Sequence, residues 1–168
     1  MIWRWETINK WIAGRGYVLG AEIGVKEGRF IEYMLANNPE LSMYAVDPWE
    51  GQPGAKEDYL EWDWVDIYKA YRTRIRPHFN RVTEHRKYSK DAAKYIPDGL
   101  LDFVFIDAQH DYDSVLKDID IWLPKVQNGG LISGHDYNPD KFPGVCKAVH
   151  ERFLAPMTGE NDCWGVYL

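Results

Sequence analysis

This 168-residue sequence predicts a single α/β domain, residues 1–168, with helices on both faces of a doubly wound, mostly parallel sheet. Three features predict it. Two apolar runs, Leu101–Ile106 and Gly130–Ser133, flank an acidic amphipathic stretch, Asp113–Leu123, and a strand–helix–strand unit of this kind must run parallel. Strand-like and helix-like segments alternate along the rest of the chain. The stronger strands stop at glycines or at clusters of acids and histidines, on the edge where open α/β sheets bind ligands.

Taken in order, Thr7–Ala13 has the spacing of a short helix, stopped by Gly14 and Gly16. Tyr17–Ile23 is the first strand and enters the turn Gly24-Val25-Lys26-Glu27-Gly28. Arg29–Ala36 places Phe30, Tyr33 and Met34 on one helical face and ends at Asn37-Asn38-Pro39. Met43–Val46 is a strand closed by Asp47-Pro48. Residues 49–80 read as an irregular insertion covering the cleft, with a turn at Gln52-Pro53-Gly54 and a helix over Asp63–Arg76 that Pro77 ends. Arg81–His85 is a weak strand, and Ser89–Tyr95 a helix for which Ser89 is the expected N-cap. After the two strong strands, Gly144–Phe153 forms the last helix. Asp162–Leu168 forms a closing strand, expected to run antiparallel.

The net charge of −6 excludes a nucleic-acid partner, which needs a basic face. The one basic cluster, Tyr71–Arg76, fits a solvated helix face. No run approaches the ~20 consecutive apolar residues of a membrane span. The N-terminus MIWRWETINKW has neither a long apolar run nor a small-residue cleavage site, so a cytoplasmic protein is expected. Cys146 and Cys163 match no zinc spacing and read as reduced thiols. Among the eight tryptophans, Trp49, Trp62 and Trp64 sit among acids and glycines, as at a cleft edge.

The parallel crossover brings Asp107, His110, Asp111, His135 and Asp136 to one edge. Asp107 and Asp136 end neighbouring strands, and two carboxylates held close together need a shared proton or cation. Mg²⁺, which takes carboxylates and waters, is the simplest remedy. His110, on the loop past Asp107, suits general-base work at neutral pH. At the first turn Gly24 and Gly28 lack the GxGxxG spacing that a pyrophosphate wants, whereas Glu22 can attract an ammonium group. Asp47 has the place of an acid that accepts both hydroxyls of a ribose. Ser89 either meets an adenine edge or caps its helix.

The segments AEIGVKEG, YAVDPWE and FIDAQHDYDSVLKDIDIWLPKVQNGGLISGHDYN together resemble the class I S-adenosylmethionine-dependent methyltransferases. Within that class the likeness is to small O-methyltransferases related to macrocin O-methyltransferase and the cephalosporin-hydroxylase-like group, over about Tyr17 to Phe153. The resemblance implies a Rossmann-like sheet. It assigns Glu22, Gly24 and Gly28 to the methionine part of S-adenosylmethionine and Asp47 to the ribose; Ser89 and Asp107 are further cofactor-binding candidates. Asp107 and Asp136 would hold Mg²⁺, with His110 as base. In catechol-type relatives an asparagine follows the second metal aspartate; here Tyr137 follows Asp136, and the third ligand stays open between Glu50 and Glu57.

The expected reaction is Mg²⁺-assisted methyl transfer to a hydroxyl of a sugar, glycan or other small molecule. Trp49, Trp62, Tyr112 and Tyr137 are candidates for stacking on the acceptor. The acceptor pocket would be open or completed by another subunit of a homo-oligomer. Two further readings remain at this point: an NAD-dependent oxidoreductase on the same sheet, and a module that binds S-adenosylmethionine without turnover.

Overall fold

The computed structural model describes residues 2–51 and 62–168. The chain begins with helix α1 (Arg4–Ile12), then β1 (Leu19–Ile23), α2 (Arg29–Asn37) and β2 (Ser42–Val46). Next come α3 (Trp64–Ile75), a 3₁₀ turn (Arg76–Arg81), β3 (Val82–His85) and the short α4 (Ser89–Ala92). The second half holds β4 (Leu101–Ile106), α5 (Tyr112–Trp122), β5 (Val126–Gly134), α6 (Pro143–Arg152), β6 (Met157–Gly159) and β7 (Cys163–Tyr167). The Gln52-Pro53-Gly54 turn and Glu57 lie outside the described residues. Among the described residues no helix is long and apolar enough to cross a membrane.

The seven strands are ordered β3-β2-β1-β4-β5-β7-β6. The first five run parallel; β7 pairs antiparallel with β5 and β6 antiparallel with β7. This is the doubly wound, mostly parallel sheet with an antiparallel C-terminal strand that the sequence predicts. The hairpin partner β6 is additional. With three residues, it has too little alternation to register as a strand.

All six residues of β4 are buried because helices cover both faces of the sheet. Alternate side chains serve opposite faces. Phe103 and Phe105 join the core under α1, α2 and α3, where Phe30 stacks on Phe105 at 4.1 Å. Val104 and Ile106 join the core under α4, α5 and α6, with Ile119, Trp122 and Val149.

Strand register positions the site. Ile23 pairs with Val46 and with Ile106, and Ile106 pairs with Gly134. One residue later the ladder continues across the strand ends. Gly24 N–H donates to Val46 O, Asp107 N–H to Ile23 O and His135 N–H to Ile106 O, at 2.9, 2.8 and 3.1 Å. Backbone hydrogen bonds thus hold the start of every functional loop in one line across the sheet edge.

Candidate active site

A cavity of about 520 Å³ opens along this edge. Its wall includes Glu22, Gly24, Asp47, Ser89, Asp107, His110 and Asp136, so all but Gly28 of the expected site residues come together. Gly28 stands behind the wall as the left-handed residue, φ 77°, that starts α2, and a Cβ there would strike Tyr71 at 2.8 Å. Gly24 has a similar internal reason. Its φ is 88°, and a Cβ would lie 2.3 Å from Asp107 O, so the close approach of two strand ends demands glycine whatever the ligand.

Asp107, His110 and Asp136 form the centre. His110 Nε2 lies 2.8 Å from Asp136 Oδ2 and 4.0 Å from Asp107 Oδ1. Asp136 has φ 59°, a left-handed conformation that aspartate tolerates better than most residues, and it turns the chain straight out of β5. His135 stands between the acids, its Nδ1 3.1 Å from Asp136 Oδ1 and 3.5 Å from Asp107 Oδ1. Burial disfavours a charge on His135, but the two carboxylates outweigh it and push its pKa up to about 10. Burial alone would raise Asp136; hydrogen bonds from His110 and His135 hold it well below the usual carboxylate range instead.

Two further residues take part. Arg4, at the start of α1, pairs with Asp107 Oδ2 at 3.1 Å from 103 residues away in the chain. The Phe142 ring packs on the His110 imidazole with centroids 5.0 Å apart. Neither has a local sequence signal: Arg4 lies in an unremarkable amphipathic helix, and Phe142 in a loop that only the fold brings across.

Glu22 is 2% exposed, and its Oε2 has no hydrogen-bond partner. Burial first, and the nearby Asp107 and Asp47 carboxylates, raise its pKa well above the ordinary carboxylate value; Arg4 opposes them. An orphaned buried oxygen in a cavity wall suits an ammonium group of a ligand.

Asp47 is placed differently from the expectation of an acid open to a ribose. Its Oδ2 accepts from the Val25 and Lys26 N–H groups, both at 2.9 Å, and its Oδ1 from the Trp49 N–H at 2.7 Å. A carboxylate offers about four lone-pair sites, so roughly one stays for a ligand. Asp47 therefore fastens the first turn to the end of β2. Burial still raises its pKa, against these three donors.

Other expectations are corrected. Ser89 does not cap α4: Tyr88 holds the N-cap position without a side-chain hydrogen bond, and the Ser89 hydroxyl is turned toward Asp118 and Trp122. Trp49 is not a cleft-edge residue; it is 1% exposed, with Nε1 donating to Lys26 O. Trp62 and Trp64 do line the cavity, and Lys26 Nζ sits 3.6 Å from the Trp62 ring centroid. Tyr112 and Tyr137 bond instead to Glu151 and His150 on α6. Asp111 caps α5 by accepting from Ser114 N–H. Glu50 contacts Tyr88 and lines a separate surface hollow with Arg86, Lys87 and Lys94, away from Asp107.

Among the described residues, the group able to grip an ion is Asp107, His110 and Asp136, whose ligand atoms all lie within 4.8 Å of one another. Two carboxylates and an imidazole fit a divalent cation. The third ligand that the sequence left open between Glu50 and Glu57 is not found beside these residues: Glu50 lies away from Asp107, and Glu57 is outside the described residues.

Comparison with known proteins agrees with the architecture. The chain is 29% identical over 140 residues to an uncharacterized protein of Acanthamoeba polyphaga mimivirus, covering 76% of this chain and 58% of that protein. The O-methyltransferase NovP superposes with a TM-score of 0.64 at 20% identity, over 93% of this chain and 74% of NovP. TomG, an O-methyltransferase from Streptomyces achromogenes solved in complex with SAM, gives 0.65 at 12% identity, over 95% and 77%. At these identities the superpositions speak for the fold. A family model described as a methyltransferase domain matches residues 21–137, well over half of the sequence. With that match and this sheet order, the chain belongs to the methyltransferase-domain family and has the class I methyltransferase fold.

Proposed function

We propose that this protein transfers a methyl group from S-adenosylmethionine to a hydroxyl of a small-molecule or saccharide acceptor, with His110 as general base. The observation that carries the proposal is the pairing of His110 with Asp136 in the same cavity wall as Glu22, whose Oε2 has no hydrogen-bond partner. A base for the acceptor and an anion for the donor's ammonium then line one 520 Å³ space. Family membership and the likeness to the O-methyltransferases NovP and TomG support the same reaction class.

S-adenosylmethionine supplies a methyl carbon already activated on a sulfonium. What the chain must add is alignment of oxygen, carbon and sulfur, which can account for much of the acceleration. Glu22 holds the amino end, and the turn fastened by Asp47 shapes the wall beside it. Asp136 Oδ2 lies 2.8 Å from His110 Nε2 and holds the imidazole in the cavity wall. Phe142 restrains the ring. His110 then removes the acceptor proton as the new O–C bond forms and the S–C bond to the methyl group breaks, its electron pair leaving on the sulfur of S-adenosylhomocysteine.

Asp107 and Asp136 are the residues that would hold a divalent ion, which supplies Lewis acidity to the acceptor oxygen when bound. The donor set favours a second reading of His110. Mg²⁺ takes oxygen ligands, whereas imidazole suits Fe²⁺ or Zn²⁺. A preference for Fe²⁺ or Zn²⁺ over Mg²⁺ would therefore mark His110 as a ligand, and a preference for Mg²⁺ would leave it as the base.

Labelled methyl transfer from S-adenosylmethionine to a panel of catechols, sugars and polyols tests the proposal. Transfer to an oxygen of at least one vicinal diol is expected, with loss of most of the rate in excess chelator. Transfer undiminished by chelator would remove the ion from the mechanism. Absence of transfer despite cofactor binding would favour a non-catalytic module.

A further inference from the structure

A second hollow, of about 510 Å³, opens beyond the end of β3 and has no part in the methyl-transfer chemistry. Pro48 lines both spaces, but none of Asp107, His110 and Asp136 reaches the hollow. Its charges are unevenly matched. Both acids in its lining have a partner: Glu50 accepts from the Tyr88 hydroxyl, and Asp91 pairs with Lys94 at 2.6 Å. Arg86 and Lys87 line the same hollow, and among the described residues neither is paired with a carboxylate. Aromatic rings hold them instead. The Arg86 guanidinium carbon lies 4.7 Å from the centroid of Tyr68, and Lys87 Nζ lies 5.3 Å from that of Tyr95. A ring face steadies a cation through its quadrupole without supplying an acceptor oxygen. Apart from a 3.4 Å contact between Arg86 Nε and Pro48 O, the donors of both side chains stay available.

Two unmatched cations side by side, on a chain of net charge −6, make a local positive field that favours an anion. The guanidinium fork offers directed hydrogen bonds to two oxygens of one phosphate, and the neighbouring ammonium adds a compact point charge. The hollow is much larger than a bare ion needs and falls within the roughly 300 to 1,000 Å³ of small-molecule sites. Tyr95, 62% exposed, offers a ring on which an organic group can pack. We propose that this hollow is a second ligand site, for a phosphate monoester of a small organic molecule. Arg86 and Lys87 take the phosphate, and Tyr95 takes the organic part. The site stands apart from the adenosyl-cofactor reading and needs neither methyl donor nor acceptor to be bound.

Calorimetric titration of the full chain with phenyl phosphate and with inorganic phosphate, at constant ionic strength, tests this. Phenyl phosphate should bind at one site per chain, roughly 3- to 10-fold tighter than inorganic phosphate through its contact with the Tyr95 ring. Replacing both cations, Arg86→Gln with Lys87→Gln, should weaken both probes by at least about tenfold, because charge-assisted hydrogen bonds are lost. Tyr95→Ala should bring phenyl phosphate down to the affinity of inorganic phosphate and leave inorganic phosphate within about twofold of its native value. Amide NMR shifts on adding phenyl phosphate should centre on residues 86–95 and spare Gly24 and Asp107. This mapping needs no variant, so it stays decisive should the double substitution fail to fold. Absence of saturable binding to the native protein, or binding undiminished in the folded double variant, would overturn the proposal. Equal affinities for the two probes would overturn the ester assignment. Shifts centred on Gly24 and Asp107 would place the ligand in the cavity and overturn the second site.

Discussion

His110→Ala is expected to lower turnover by roughly 10²- to 10⁴-fold, the range for a lost general base. The remaining activity should climb as pH rises, because the acceptor hydroxyl then ionises without help. Affinity for S-adenosylhomocysteine should change little, since the proposed mechanism gives His110 to the acceptor. Single-turnover rates across pH, with Zn²⁺ binding measured in parallel, separate its two possible roles. A lost base leaves ion affinity near the native value. A lost ligand weakens it by an order of magnitude or more. Unchanged turnover in the variant would remove His110 from the chemistry, and the two carboxylates would have to act without it.

Gly24→Ala is expected to be the most damaging single-methyl change in the fold. The added carbon would sit 2.3 Å from Asp107 O and 2.6 Å from Ala108 Cα, both backbone atoms that cannot swing aside. The backbone at φ 88° adds strain of its own. Together these should cost about 4 kcal/mol, a large part of the 5–15 kcal/mol available to a typical domain. Thermal denaturation should show a drop of roughly 8 to 16 °C. Gly14→Ala is the control. Gly14 has a similar φ of 73° with nothing within 4 Å of the added carbon, so only strain of about 1 to 2 kcal/mol applies. Equal losses in the two variants would show that the approach of the β1 and β4 ends is not the constraint.

The sheet was legible because its two central carriers are extreme in composition. Residues 101–106 and 130–133 are apolar enough to be strands buried on both faces, and the helix between them forces a parallel crossover. The cluster at their ends followed from topology alone: once the strands are parallel neighbours, Asp107, His110 and Asp136 must meet. Hydrogen-bond destinations were not legible. Asp47 occupies the expected strand end, but its three backbone donors come from a turn 21 and 22 residues earlier and from Trp49. Ser89 has the sequence position of a helix cap, yet its partners lie 29 and 33 residues away on α5. Arg4 reaches Asp107 only because α1 packs beside the same sheet edge. Local spacing says where a side chain is; it does not say which distant group has claimed its lone pairs.

Arg4 bears directly on the proposed ion site. Asp107 and Asp136 already have cationic company in Arg4 and in His135, so a divalent ion must compete with both. The Arg4 pair is partly exposed, which limits its share of that competition to about 1 kcal/mol.

Isothermal titration of the purified protein with S-adenosylhomocysteine and, separately, with NAD bears most directly on the central claim. The cavity, the orphaned Glu22 oxygen and the absence of a GxGxxG turn predict a Kd for S-adenosylhomocysteine in the micromolar range, on the order of −8 kcal/mol, and no measurable binding of NAD. Tight binding of NAD with none of S-adenosylhomocysteine would contradict the account and return the cavity to a nicotinamide-dependent oxidoreductase.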